Sequence, residues 1–151
     1  MSYKVMFVCT GNTCRSPMAE YVMKCLLKRR GYTDIEVSSS GLFANEGRPM
    51  SANSVKALEH LHIDYNGEHR ARRFTGDMTK EYDLILTVTQ DHKDYIPVKL
   101  DNLFSIREYV GVSDIGDPYG QDEKAYILSA QAILRAVEKI IEKLESTGVL
   151  K

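Results

Sequence analysis

The chain has 151 residues, 27% of them charged, with 20 Lys and Arg against 21 Asp and Glu for a net charge of -1; the length suits one domain, 1–151, with a single core. That balance supplies no overall field to draw in nucleic acid or an anionic membrane, so any anion binding has to be local. There is no basic-then-apolar leader and no window near the ~20 apolar residues that cross a bilayer, and the 3 cysteines cannot form a disulfide framework, so a cytoplasmic protein with free thiols is expected, a monomer by its size.

Residues 3–8, YKVMFV, carry the aromatic and β-branched types that favour a strand. From Pro17 to Arg30, apolar side chains at Met18, Tyr21, Val22, Cys25 and Leu26 predict a helix. A second strand, IEVSSSG from Ile35, ends in a Ser/Gly turn, and SANSVKALEHLH from Ser51 puts Val55, Leu58 and Leu61 on one helical face. YDLILTVT from Tyr82 is nearly continuous apolar sequence, the pattern of a parallel strand buried on both faces. LDNLFSI is a fourth and weaker strand. From Asp122, which suits an N-cap, the residues Tyr126, Ala130, Ile133, Val137, Ile140, Ile141 and Leu144 recur at helical spacing until STG stops the run. Strands alternating with helices predict an open α/β sheet that binds ligands at the carboxyl ends of its strands. No repeat or linker divides the chain.

The first such end holds the densest chemistry. VCTGNTCRSP places Cys9 and Arg15 at opposite ends of a short loop, with Thr10, Gly11, Asn12, Thr13 and Cys14 between. Gly11 and Asn12 tolerate left-handed backbone angles, so the loop can turn its N–H groups inward, and the following helix adds the positive end of its dipole. This is a cradle for a tetrahedral oxyanion, and Arg15 adds a planar fork that grips two of its oxygens. A free thiol is only a few per cent ionised at neutral pH; the same positive ring favours the thiolate of Cys9 and makes it a nucleophile. A zinc site is disfavoured because one C-x4-C pair has no second pair downstream. Cys25, on the apolar helix face, reads as core. Cys14 either packs or traps an oxidised Cys9 as a disulfide.

With these motifs in view, the chain resembles the low-molecular-weight protein tyrosine phosphatases. The likeness runs from the N-terminal C-x5-R-S loop through SSSG, HRARR (69–73) and DPYG (117–120). It implies a three-layer α/β fold: a four-stranded parallel sheet flanked by helices, a phosphate-binding loop after the first strand, no metal and no organic cofactor. It implies phosphorylated protein substrates, with inorganic phosphate as product and inhibitor. Expelling a phenolate needs a proton, and the family-matched donor is Asp117, whose alternative role is to form the D-P turn. The bound phosphate dianion has to favour the protonated Asp117 carboxyl, so activity is expected to be higher on the acidic side of neutrality. Asn12, Ser16, Ser40 and His69 match the polar network that supports the loop, with Ser16 also donating toward the thiolate. Arg70, Arg72 and Arg73 are expected on a solvated or salt-bridged surface. His60, His62 and His92 receive no role.

Phe43 and Tyr119 are expected as aromatic walls of a deep pocket suited to phosphotyrosine. Thr13 stands where tyrosine-directed members usually carry a bulky aliphatic, and in this it resembles the bacterial branch acting on phosphoarginine; Asp117 would pair with the guanidinium. Two other functions fit less of the sequence. A thiol-dependent arsenate reductase of this fold needs relay cysteines, and none follows Cys25. A phosphate-binding or redox-sensing module would use Cys9 and Cys14 without turnover.

Overall fold

The computed structural model describes residues 2–150. In chain order it forms β1 (Tyr3–Cys9), α1 (Arg15–Arg29), β2 (Ile35–Gly41), α2 (Ala52–His60), α3 (Met78–Glu81), β3 (Leu84–Thr87), α4 (Gln90–Tyr95), β4 (Leu103–Ser105), α5 (Ile106–Val110) and α6 (Glu123–Ser146). The four strands make one parallel sheet in the order β2-β1-β3-β4. The chain leaves β1 toward β2 on one side, then returns to β3 on the other. The crevice beyond the carboxyl end of β1 is therefore the switch point of the topology, where such sheets bind ligands.

Alternation along β1 sorts the core into two layers. Val5, Phe7 and Cys9 join the cluster formed with Met18 and Val22 of α1, Leu58 of α2, and Ile133, Val137 and Ile140 of α6. Met6 and Val8 face the opposite side, with Ile85 and Leu103 of the sheet, Met78 of α3 and Ile96 just past α4. Helices thus cover both faces, as the expected three-layer α/β fold requires.

The closing helix begins after Asp122, whose side chain accepts a hydrogen bond from Ala125 N, and the predicted core positions Tyr126, Ala130, Ile133, Val137, Ile140, Ile141 and Leu144 are all buried. At α2 the cap is Ser51, accepting from Ser54 N. The predicted strand from Tyr82 is shorter than its apolar run: Tyr82 caps α3, and only Leu84–Thr87 pair. LDNLFSI likewise gives three strand residues before Ser105 closes a capping box with Glu108 and starts α5. Helices α3, α4 and α5 run 4, 6 and 5 residues, too short for a 3.6-residue period to show in sequence.

Candidate active site

The loop between β1 and α1 is fixed from outside by its carbonyl oxygens. Cys9 O and Thr10 O accept from Leu42 N and Phe43 N at 2.9 Å each, and Thr13 O accepts from Ser51 N at 3.0 Å. Asn12 O accepts from His69 Nε2 at 2.7 Å, which assigns the ring proton to that nitrogen. With the carbonyls turned outward, the amides of residues 11–14 are left to the interior, and among the described residues none finds a protein acceptor. Asn12 alone carries the left-handed angle, φ 57; Gly11 is not in that region. The glycine that matters for approach is Gly41, where a Cβ would stand 2.6 Å from Thr10 O and 2.8 Å from Asn12 N. β2 can lie against the loop only because position 41 has no side chain.

Asn12 ties the loop together. Its Nδ2 donates to Ser16 Oγ and Ser39 Oγ, both at 2.9 Å, and its Oδ1 accepts from Arg72 N at 3.0 Å. Ser39 in turn donates to Glu20 Oε1 at 2.6 Å, and Glu20 pairs with Lys24 at 2.5 Å. The sequence reading assigned this support to Ser40. Its hydroxyl instead meets Met6 Sδ at 3.3 Å, and Ser40 helps through its carbonyl, which accepts from Ser16 Oγ at 3.2 Å. Strand alternation explains the exchange, since neighbours on β2 face opposite sides of the sheet. Arg72 also departs from expectation. It is half-buried, its Nε donating to Ser39 O at 3.1 Å and its Nη2 to Tyr82 Oη at 2.9 Å. Arg70 and Arg73 are exposed as expected; His60 and His62 are exposed too.

Cys9 ends β1 with 2% exposure, its Sγ 2.9 Å from Ser16 Oγ. The Ser16 hydroxyl has one proton, which can go to the sulfur or to Ser40 O. A thiolate takes it, whereas a thiol donates to Ser16 and sends that proton on to the carbonyl. Arg15 is 5% exposed, its Nη1 donating to Ile115 O at 3.1 Å and its Nη2 lying 3.4 Å from Thr10 Oγ1 and 3.5 Å from Asp117 Oδ2. A buried guanidinium whose single carboxylate neighbour is half in solvent is poorly compensated, and an anion in the loop would complete its pairing. The start of α1 adds to this, with no side-chain cap and no acidic residue in its first turn.

A cavity of about 230 Å³ opens over the loop. Phe43, Asn45 and Arg48 line it from the segment after β2, and Asp117 and Tyr119 from the segment before α6. Asp117 shapes its turn through Oδ1, which accepts from Tyr119 N at 3.1 Å, while its Oδ2 lies 3.5 Å from Arg15 Nη2. Phe43 and Tyr119 are 52% and 75% exposed, so the aromatic rings stand at the rim and the pocket is not the deep slot expected. Phe43 meets Tyr95 edge-on at 5.0 Å. Thr13 lines the cavity; Cys14, buried beneath, has its Sγ 3.5 Å from Ser51 Oγ and 3.8 Å from Tyr126 Oη. All three cysteines are free and buried. Among the described residues no group of His, Cys, Asp and Glu is arranged to hold a metal ion, and no helix is long and apolar enough to cross a membrane.

A sequence model described as Low molecular weight phosphotyrosine protein phosphatase matches residues 4–149. The chain belongs to that family. Among curated relatives of this phosphatase, low molecular weight protein-tyrosine-phosphatase PtpB of Staphylococcus epidermidis is 41% identical over 146 residues, 94% of this chain and 99% of its own. The protein-arginine-phosphatase of Bacillus subtilis is 33% identical over 147 residues, 93% and 96% of the two chains. In solved structures, the low molecular weight protein tyrosine phosphatase from T. tengcongensis superposes with a TM-score of 0.88 at 40% identity, covering 95% of this chain and 100% of its own.

Sequence reading missed Glu20, Ser39, Gly41, Asn45, Arg48 and His92. For Glu20 a signal existed: Asn12, Ser16 and Glu20 stand four apart, which continues the loop onto one face of α1. His92 received no role from the sequence, yet it is 8% exposed. Burial and the nearby Arg15 charge push its pKa down to about 4 from 6.5, against the opposing pull of Asp117, Asp91 and Asp114. The fold thus refuses a proton that the unfolded chain accepts below about 6.5, so stability present above that pH is lost as pH falls toward about 4. Urea midpoints are expected to decline across that interval. The decline should be shallower in His92→Gln, and an identical acid limb would rule out the His92 contribution.

Proposed function

We propose that the chain is a cysteine-dependent protein phosphatase acting through a cysteinyl-phosphate intermediate. One observation carries this: the Cys9 sulfur, 2.9 Å from the Ser16 hydroxyl, lies on the floor of a loop whose free amides and buried guanidinium are arranged for a tetrahedral anion. In the mechanism, the Cys9 thiolate attacks phosphorus in line while Arg15 and the loop amides hold the equatorial oxygens. The bond to the leaving atom breaks as Asp117 delivers its proton there. Asp117, now a carboxylate, takes a proton from water, which attacks phosphorus; the S–P bond breaks, inorganic phosphate leaves and the thiolate returns. Asn12, Ser16, Ser39, His69 and Arg72 hold the loop in shape. No metal or organic cofactor enters this chemistry.

Asp117→Asn should slow aryl phosphate hydrolysis by about 10²- to 10⁴-fold while inorganic phosphate still binds. Steady-state kinetics beside calorimetry would separate the two. A chain that only binds phosphate has no rate to lose, and an unchanged rate in Asp117→Asn would remove this residue as the proton donor.

The substrates are phosphorylated proteins bearing phosphotyrosine, phosphoarginine or both. Thr13 favours phosphoarginine: its side chain leaves apolar bulk out of the cavity and offers a hydroxyl. Asp117, with a side chain 53% exposed, remains accessible to a guanidinium. Initial rates on matched phosphotyrosine and phosphoarginine peptides should shift toward phosphotyrosine in Thr13→Ile, and an unaltered preference would exclude Thr13 as the determinant. An arsenate reductase is less well supported, because Cys25 is buried in the core face of α1, where it cannot relay electrons.

A further inference from the structure

His92 stands in the first turn of α4, behind the loop, and its ring spans two hydroxyls. Nε2 is 2.8 Å from Thr10 Oγ1 and Nδ1 is 2.9 Å from Thr89 Oγ1. An anion in the cavity decides the direction of both bonds. Thr89 Oγ1 already accepts from His92 N at 3.1 Å, so its own proton is available for Nδ1. Each tautomer leaves one threonine proton without a protein acceptor: that of half-buried Thr89, away from the cavity lining, if Nδ1 carries the hydrogen, and that of Thr10 at the cavity if Nε2 carries it, so an anion bound in the cavity selects the second. With Nδ1 accepting, Nε2 carries the hydrogen and donates to Thr10. Thr10 Oγ1 then accepts from His92 on one side and from Arg15 Nη2, at 3.4 Å, on the other. Both of its lone pairs are engaged, and its proton has to point elsewhere. Thr10 is exposed and lines the cavity, so the open direction is the cavity itself.

The geometry points to Thr10 as a side-chain donor to an oxygen of the bound phosphoryl group, and to His92 as the positioning residue that turns the hydroxyl that way. This rests on the phosphatase reading for its place in catalysis, but the binding contact itself needs no turnover. The neutral ring that the arrangement needs is the form kept by burial beside Arg15, whose charge helps hold the His92 pKa near about 4. β3 leads directly into α4, so the strand next to β1 supplies one side of the cradle and β2, through Gly41 and Leu42, the other.

Long-range ¹H–¹⁵N spectra of the wild-type chain should show His92 in the Nε2–H tautomer with inorganic phosphate bound; an Nδ1–H ring would overturn the inference without recourse to any variant. Calorimetric titration with inorganic phosphate supplies the energetic arm. Thr10→Val and His92→Leu should each weaken binding by about ten-fold, the scale of one hydrogen bond to a charged group. The double variant should bind no worse than the weaker single one, since the two act through one contact. His92→Gln, which keeps an N–H near the Nε2 position, should restore most of the affinity. Multiplying losses in the double variant, or His92→Leu binding phosphate as the wild type does, would sink the proposal. If the wild type bound phosphate but hydrolysed no phosphate ester, the phosphatase reading would fail while these binding data still decided the role of Thr10 and His92.

Discussion

Cys9→Ser should lower the hydrolysis of an aryl phosphate by at least about 10⁴-fold with EDTA present, the order seen when a nucleophile is deleted from a working site. The exchange alters one atom in a position that is 2% exposed and hydrogen-bonded to Ser16. A serine hydroxyl at that place is smaller but can still hydrogen-bond Ser16, and it holds its proton, so the attack on phosphorus is lost. The cradle remains, because its carbonyl ties run to Leu42, Phe43, Ser51 and His69 and none involves the sulfur. Inorganic phosphate should therefore bind Cys9→Ser within a few-fold of wild type by calorimetry. A rate within ten-fold of wild type would show that Cys9 is not the nucleophile, and EDTA sensitivity would point to metal chemistry instead.

Arg15→Lys is expected to cost about 10³-fold in kcat/KM, as removal of a pre-aimed donor does when charge builds up on oxygen in the transition state. The substitution conserves charge and so isolates geometry. Arg15 Nη1 is occupied by Ile115 O at 3.1 Å, while Nη2 lies 3.4 Å from Thr10 Oγ1. One planar group thus docks to the segment before α6 and also reaches into the cavity. A lysine ammonium is a point charge on a flexible stem and cannot do both. The loss should fall on kcat as well as KM, because oxygens held in line matter most while phosphorus is in flight. A change confined to KM would mean that Arg15 contributes only general attraction for the substrate.

The elements most legible in the sequence were those whose pattern is long or chemically dense. The closing helix shows its apolar period over six turns from the Asp122 cap, and its predicted core positions are buried in α6. The C-x5-R loop was legible because Gly, Asn and Arg in so short a space have few other uses. What could not be read depends on distance in space. Ser39 and Ser40 are chemically identical neighbours, and only the register of β2 against β1 decides which hydroxyl faces Asn12. His92 lies 82 positions from its partner Thr10, brought there because β3 pairs with β1. Arg72 sits in a run of basic residues that reads as surface, yet its neighbours Arg70 and Arg73 go outward while its own amide reaches Asn12. Gly41 looked like a turn signal and is instead a gap through which the loop passes β2.

Alkylation of the thiols by iodoacetamide at pH 6, with and without inorganic phosphate and read by mass spectrometry, bears most directly on the anionic sulfur in its cradle. Cys9 should react far faster than an ordinary thiol and far faster than Cys25, and millimolar phosphate should suppress the reaction. Sluggish modification of Cys9, untouched by phosphate, would contradict the thiolate and the anion site together.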